Sequence, residues 1–201
     1  MTTTQQTERV LPLRKLIHLA GAVFPLLYLV LPRRTVLVIA LTVLAFTVAV
    51  EWGRQRWPAL EQLFEWLIGP ALRRGEEHKP TTGTWSMLGI LITLLAFKRE
   101  FAIPSMLYAH LGDPAAEVVG RRWGRHRLPN GKSLEGSLGC FTVNLVVGLI
   151  CCQVLPLSPG VATVGALAAT LAEVAPVPLG DNLLMAPLSG LTMTLATLTI
   201  P

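Results

Sequence analysis

The chain has 201 residues, 52% of them hydrophobic and 14% charged, against roughly 25% charged in an average soluble domain. Too few charges remain to cover a soluble domain of this size, and the apolar residues run in blocks with the charges gathered between them. That distribution excludes a soluble globular fold, a disordered chain and a coiled coil. The net charge of +5 reflects where basic residues fall between apolar blocks and implies no nucleic-acid partner.

Apolar segments fall at about 16–32, 35–52, 81–97, 101–120, 137–155, 157–176 and 183–200. They predict an all-α, polytopic membrane protein of about seven transmembrane helices. A polar tail, 1–12, precedes Arg14 and Lys15. The apolar run after them passes Ala20-Gly21-Ala22 and reaches Leu31, so a retained first span is expected, not a cleaved signal. Within the 53–80 loop, Leu60, Leu63, Phe64 and Leu67 recur at i, i+3, i+4 and i+7, the pattern of an amphipathic helix lying along the cytoplasmic interface. Of the 17 Lys and Arg residues, 13 lie in the tail, the 53–80 loop and the 121–133 loop. This bias orients the N-terminus inward. The chain is expected to form one integral membrane catalytic domain, 1–201, in the cell membrane if prokaryotic, with its active site facing the cytoplasm; homo-oligomerisation is compatible with it. Cys140, Cys151 and Cys152 lie on or beside one apolar segment and are expected to be core residues, not a disulfide or metal framework.

The polar clusters gather toward the predicted cytoplasmic side. In Gly112-Asp113-Pro114-Ala115-Ala116-Glu117, proline disfavours helix at the residue before it, so the span is expected to break with Asp113 as N-cap and Pro114 at the first helical position. Glu117, four residues on, shares a helix face with Asp113. Carboxylates at this depth are functional candidates, and with Mg²⁺ they would be hard oxygen ligands. The competing reading makes Asp113 a cap and pairs Glu117 with Arg121. The following stretch interleaves Arg121, Arg122, Arg125, Arg127 and Lys132 with Gly120, Gly124, Gly131 and Gly136. Cations and approachable backbone amides suit phosphate. Gly131-Lys132-Ser133 is no Walker A loop, because His126 stands where that pattern needs glycine. Gly120 and Gly124 have the spacing of a helix-contact motif, but the arginines between them argue against a lipid-buried contact. The four histidines lack zinc spacing; His18 lies within a turn of Arg14 and Lys15 and is a candidate phosphate contact.

These motifs resemble the membrane CTP-dependent lipid kinases, the group of dolichol kinase, phytol kinase and the CTP-dependent diacylglycerol kinases, which are related to phosphatidate cytidylyltransferase. The resemblance is carried by Arg14-Lys15 with His18, by Thr82-Gly83-Thr84, by Gly112-Asp113-Pro114-Ala115-Ala116 through Gly120-Arg121-Arg122-Trp123-Gly124, by Lys132-Ser133-Leu134-Glu135-Gly136-Ser137, and by Glu173 with Asp181-Asn182. It implies transfer of the γ-phosphoryl group of CTP to a lipid alcohol with Mg²⁺. Asp113 is then the principal metal ligand with Asp181 or Glu117 as the second, and Lys132, Arg121 and Arg122 clamp phosphates. Glu135 or Asp113 would orient or deprotonate the lipid hydroxyl. The cytidylyltransferase reading lacks its C-terminal aspartate-arginine-x-aspartate ending here. A small transporter is the competing reading from another class, though no internal repeat supports it.

Overall fold

The computed structural model describes residues 16, 18–69, 80–175 and 181–200. Arg14, Lys15 and the side chain of Asp181 lie outside the described residues, so the expectations placed on them are not addressed by the geometry. The described chain is all-helical: α1 (Val23–Val30), α2 (Arg33–Arg54), α3 (Pro58–Leu67), α4 (Thr82–Ala96), α5 (Arg99–Leu107), a π-helical turn (Tyr108–Gly112), α6 (Asp113–Trp123), α7 (Leu134–Val154), α8 (Pro159–Val174) and α9 (Asp181–Ala196). Among the described residues the one pairing of extended backbone is an isolated bridge between Arg127 and Ser133.

Local chemistry sets the boundaries. Pro58 and Pro159 stand in the first turns of α3 and α8, where a missing N–H costs nothing. Ser133 and Ser158 cap α7 and α8 by accepting from the N–H of Gly136 and Val161. Every predicted apolar segment coincides with a helix. Two of these helices, Arg33–Arg54 and Leu134–Val154, are long and apolar enough to cross a membrane alone, so the count of seven spans is not established by helix length. Large apolar side chains also face outward, among them Val30 at 77%, Phe46 at 69% and Val154 at 66% exposed. A soluble monomer rarely presents such a surface.

The predicted break at Asp113 does not occur. The chain runs from α5 through the π turn into α6 without leaving helical backbone; Asp113 has φ −62° and ψ −47°, and no side chain caps the helix there. Proline in a helix removes an N–H and crowds the carbonyl four residues back. Widening one turn to the i→i+5 spacing accommodates Pro114. The result is a continuous rod that packs antiparallel on α7. Along it, the Tyr108 hydroxyl lies beside Gly148, Gly112 against the side-chain amide of Asn144, and Gly120 against Gly136. This last contact is made to protein at the start of α7, beside the polar pocket.

Further antiparallel pairs complete the bundle. Cys140 meets Thr170 between α7 and α8, and the Ser189 hydroxyl donates to the Gly165 carbonyl between α8 and α9. Between α2 and α4, Arg33 donates to the Leu94 and Leu95 carbonyls at one end, while Glu51 holds Thr81 and Thr84 at the other. Ile90, Leu94, Ile103, Met106, Met185 and Met193 are almost wholly buried at the centre. Cys140 and Cys151 are buried free thiols, as expected.

A β-carbon at Gly136 would stand 2.7 Å from the Ala116 carbonyl oxygen, which is backbone and cannot swing away. Gly136→Ala is therefore expected to cost about 1–3 kcal/mol, read as a lower melting temperature in detergent. An unchanged melt would contradict the close approach of α6 and α7.

Candidate active site

The Asp113 side chain, 14% exposed, and that of Glu117, 21% exposed, stand one turn apart on α6. The helix presents both to a polar pocket of about 250 Å³. The start of α7 supplies Ser133, Gly136 and Ser137 to this pocket, the preceding loop supplies Arg127 and Lys132, and α8 supplies Glu173. Three carboxylates and the three cations Arg121, Arg127 and Lys132 thus line one space. Lys132 Nζ lies 2.8 Å from Glu173 Oε1, and Glu173 is only 6% exposed. Partners so enclosed interact more strongly than a surface pair. Arg121 Nη2 lies 2.9 Å from Glu117 Oε1 as an i,i+4 pair.

The basic loop has a defined shape. Gly131, at φ +85°, occupies left-handed backbone that costs other residues about 1–2 kcal/mol, and it closes a turn by donating to the Leu128 carbonyl at 2.9 Å. The Leu128 N–H returns to the Lys132 carbonyl at 2.8 Å. Arg127 donates to the carbonyls of Gly131 and Gly120, at 3.4 and 3.3 Å, tying the loop to α6. Asn130 donates to the Val174 carbonyl, tying it to α8. The loop is thereby clamped over the pocket with Lys132 directed to Glu173.

On the opposite side of Asp113, His18 Nε2 lies 3.7 Å from Asp113 Oδ2 and 3.1 Å from the Ala109 carbonyl. A carbonyl only accepts, so His18 carries its proton on Nε2. Pro114 explains why this acceptor is available: five residues beyond Ala109, it has no N–H to give at the π spacing. His110 Nδ1 reciprocally donates to the His18 carbonyl at 3.0 Å, and the two rings sit 5.3 Å apart.

Of the residues singled out from sequence, Asp113, Glu117, Gly120, Arg121, Lys132, Ser133, Gly136 and Glu173 converge on the pocket. Arg122 is exposed beside the Trp123 ring, and Gly124 packs on Ser133 outside the lining. Glu135 turns away from Asp113: its Oε1 lies 2.7 Å from His126 Nδ1, and the His126 backbone N–H also points to it. Gly112 backs onto Asn144, and the backbone of Asn182 lies against Gly89 on α4. Thr82 and Gly83 line a second, apolar cavity together with His18 and His110.

Sequence reasoning missed Glu51, which is 8% exposed and accepts from the Thr81 N–H at 2.7 Å and the Thr84 hydroxyl at 2.8 Å. It also missed His110, whereas Arg127, read with the basic stretch that suits phosphate, does line the pocket. A lone carboxylate ending an apolar run was the available signal for Glu51. Among the described residues no three His, Cys, Asp or Glu side chains converge as a metal cage. Mg²⁺ needs none, since it usually takes one or two carboxylates and completes its shell with water and substrate phosphate. The donor chemistry of Asp113 and Glu117 fits that ion.

No family model matches the chain, and no solved structure matches it. Over 103 residues, half of this chain, it is 38% identical to CTP-dependent diacylglycerol kinase 1 of Schizosaccharomyces pombe and covers 45% of that protein. It is 35% identical to CTP-dependent diacylglycerol kinase 1 of Eremothecium gossypii, also over 103 residues, which are 31% of that protein. Against the Saccharomyces cerevisiae protein of the same name, identity is 28% over 95 residues, 46% of this chain and 33% of the other. The chain therefore spans less than half the length of these curated relatives. The family resemblance drawn from the motifs is supported: over about half its length the chain is similar to proteins named CTP-dependent diacylglycerol kinases.

Removing the Glu51 carboxylate in Glu51→Ala leaves the Thr81 N–H and Thr84 hydroxyl without their acceptor, an expected cost of about 1–3 kcal/mol. Glu51→Gln keeps an acceptor oxygen and should recover part of the loss in a detergent melt. Equal melts for both variants would show that the hydrogen bonds are not what Glu51 contributes.

Proposed function

We propose that this protein transfers the γ-phosphoryl group of CTP to the hydroxyl of a lipid alcohol, with Mg²⁺, at the cytoplasmic face of a membrane. The observation that carries the reading is the convergence of Asp113 and Glu117 with Arg121, Arg127 and Lys132 in one polar pocket of about 250 Å³. Phosphoryl transfer asks a protein mainly for alignment and charge neutralisation. Bound through Asp113, with Glu117 or Asp181 as second ligand, Mg²⁺ would neutralise charge on the phosphate oxygens. Lys132, Arg121 and Arg127 hold the remaining charge, with Arg14, Lys15 and Arg122 as further phosphate contacts. The lipid hydroxyl oxygen bonds to the γ-phosphorus as the bond from that phosphorus to the β-bridging oxygen breaks, releasing CDP. Glu135, engaged with His126, braces the basic loop in this account, and removal of the hydroxyl proton falls to Asp113.

Outward apolar side chains and the coincidence of all seven apolar segments with helices support a multi-pass protein. Its shorter helices, such as α4 and α8, would cross in company. The excess of Lys and Arg in the tail, the 53–80 loop and the 121–133 loop supports a cytoplasmic position for the pocket. Helix α3, with no buried residue, lies along that interface. The names of the relatives favour diacylglycerol as the alcohol; polyprenol, dolichol and phytol offer the same hydroxyl above an apolar tail.

Purified protein with Mg²⁺ and γ-labelled CTP is expected to label one of these lipids, with γ-labelled ATP a poorer donor. Asp113→Asn should lower the rate by roughly 100- to 1,000-fold without lowering the melting temperature. Release of pyrophosphate with phosphatidate, in place of lipid labelling, would instead identify a cytidylyltransferase.

A further inference from the structure

Beside the polar pocket lies a cavity of about 530 Å³, within the roughly 300–1,000 Å³ of small-molecule sites. Its walls come from α1, α2, the α3 end and the start of α4, and it meets the polar pocket at His18, which lines it while standing 3.7 Å from Asp113. The chemistry of the wall changes along its length. Helices α2 and α4 are antiparallel, with Glu51 beside Thr81 and Arg33 beside Leu94. Thr47 is therefore level with the Thr81–Gly83 end, and Val43 and then Ile39 lie progressively farther toward the other side. Eight residues separate Thr47 from Ile39, about 12 Å of helix at 1.5 Å per residue. Helix α1 runs the same way: His18 and Gly21 stand at the polar end and Leu27 at the apolar end.

We propose that this cavity holds the hydrocarbon tail of the lipid alcohol, seated with its hydroxyl at the His18 end, against Asp113, and its chain running past Thr47, Val43 and Ile39. The inference rests on the lipid-alcohol reading above and names the place and chemistry of its acceptor site. The occupant follows from two features together: a hydroxyl must reach the γ-phosphate from the side of Asp113 that the nucleotide pocket does not fill, and that side opens into hydrocarbon-lined space. His18 is a positioning residue here. Its ring, fixed through the Ala109 carbonyl, forms the wall at which tail and phosphate chambers meet. Diacylglycerol, phytol and polyprenol share the required chemistry, and the assay separates them.

Two measurements test this. A long-chain alcohol carrying a diazirine at its hydrocarbon end is cross-linked to wild-type protein, and the adducts are mapped by mass spectrometry. Labelling of Leu27, Ile39 or Val43, displaced by excess dioleoylglycerol, phytol or polyprenol according to which one binds, supports the tail site without requiring turnover. Labelling confined to Leu41, Phe46 and Val48 on the outer face of α2 overturns it. In the second, Ile39→Trp, about 12 Å along the wall from Thr47 and checked for an unchanged melt, should lower kcat/KM by about tenfold for an acceptor with eighteen-carbon chains and leave one with eight-carbon chains within about twofold, with KM for CTP unmoved. An equal effect on both acceptors overturns the tail site. Cross-linking inside the cavity by a protein that labels no alcohol from CTP would instead sink the kinase reading while leaving a hydrocarbon site.

Discussion

One missing hydrogen organises this molecule. Pro114 has no N–H, and the helix that contains it widens into a π turn over Tyr108–Gly112 instead of breaking. The Ala109 carbonyl, deprived of a donor at the π spacing, is taken by His18 at 3.1 Å; His110, on the same turn, donates to the His18 carbonyl at 3.0 Å. This two-way clasp anchors the start of α1 to the middle of the bundle. Asp113 follows the turn immediately, so its carboxylate is held at the junction of a polar and an apolar cavity. A helix broken at this point would leave that placement to a loop.

The polar side depends on how closely α6 and α7 approach. Gly120 faces Gly136, which draws Ser133 and the basic loop down over α6. Arg127, Asn130 and Lys132 then tie the loop to α6 and α8. A phosphate-bearing ligand here would find its charges already arranged, the condition under which electrostatic stabilisation is most effective. On the other side, apart from His18, His110, Thr47, Thr81, Thr82 and Ser86, the cavity between α1 and α2 is walled by hydrocarbon, so water has little to hold it along most of its length. A nucleotide and a lipid would each find the chamber that suits its chemistry, and the two chambers share a wall.

Much of this was legible in the sequence. Block-wise hydropathy located the described helices apart from α3, which its amphipathic spacing marked, and the stretches Gly112–Ala116 and Lys132–Gly136 contribute to the same polar pocket. Spacing on a helix correctly put Asp113 and Glu117 on one face. The failures have physical causes. Pro114 was read by the rule for an isolated proline, whereas tertiary packing on α7 favours keeping the rod intact and absorbing the proline in a wider turn. Gly120 and Gly136 line the polar pocket with the basic stretch, and that they also face each other between α6 and α7 is a pairing of two elements that no sequence spacing reports. Glu135 sits in a motif beside phosphate-binding candidates, yet its hydrogen-bond partner is His126, nine residues back along the hairpin. Glu51 looked like the end of a span and is instead the acceptor for the N-terminus of α4, a pairing over thirty residues that only the fold brings about.

In the proposed reaction Asp113 would hold the metal-bound phosphates of a nucleotide at the junction of the two chambers. Replacing Mg²⁺ by Mn²⁺ in the presence of a non-hydrolysable CTP analogue makes this directly visible to electron–nuclear double resonance. After free metal–nucleotide complex is removed by gel filtration, the Mn²⁺ that stays with the wild-type protein should show phosphorus couplings, and that bound Mn²⁺ and its couplings should be lost in Asp113→Asn. Couplings that persist unchanged in the variant would place the metal elsewhere and contradict the account.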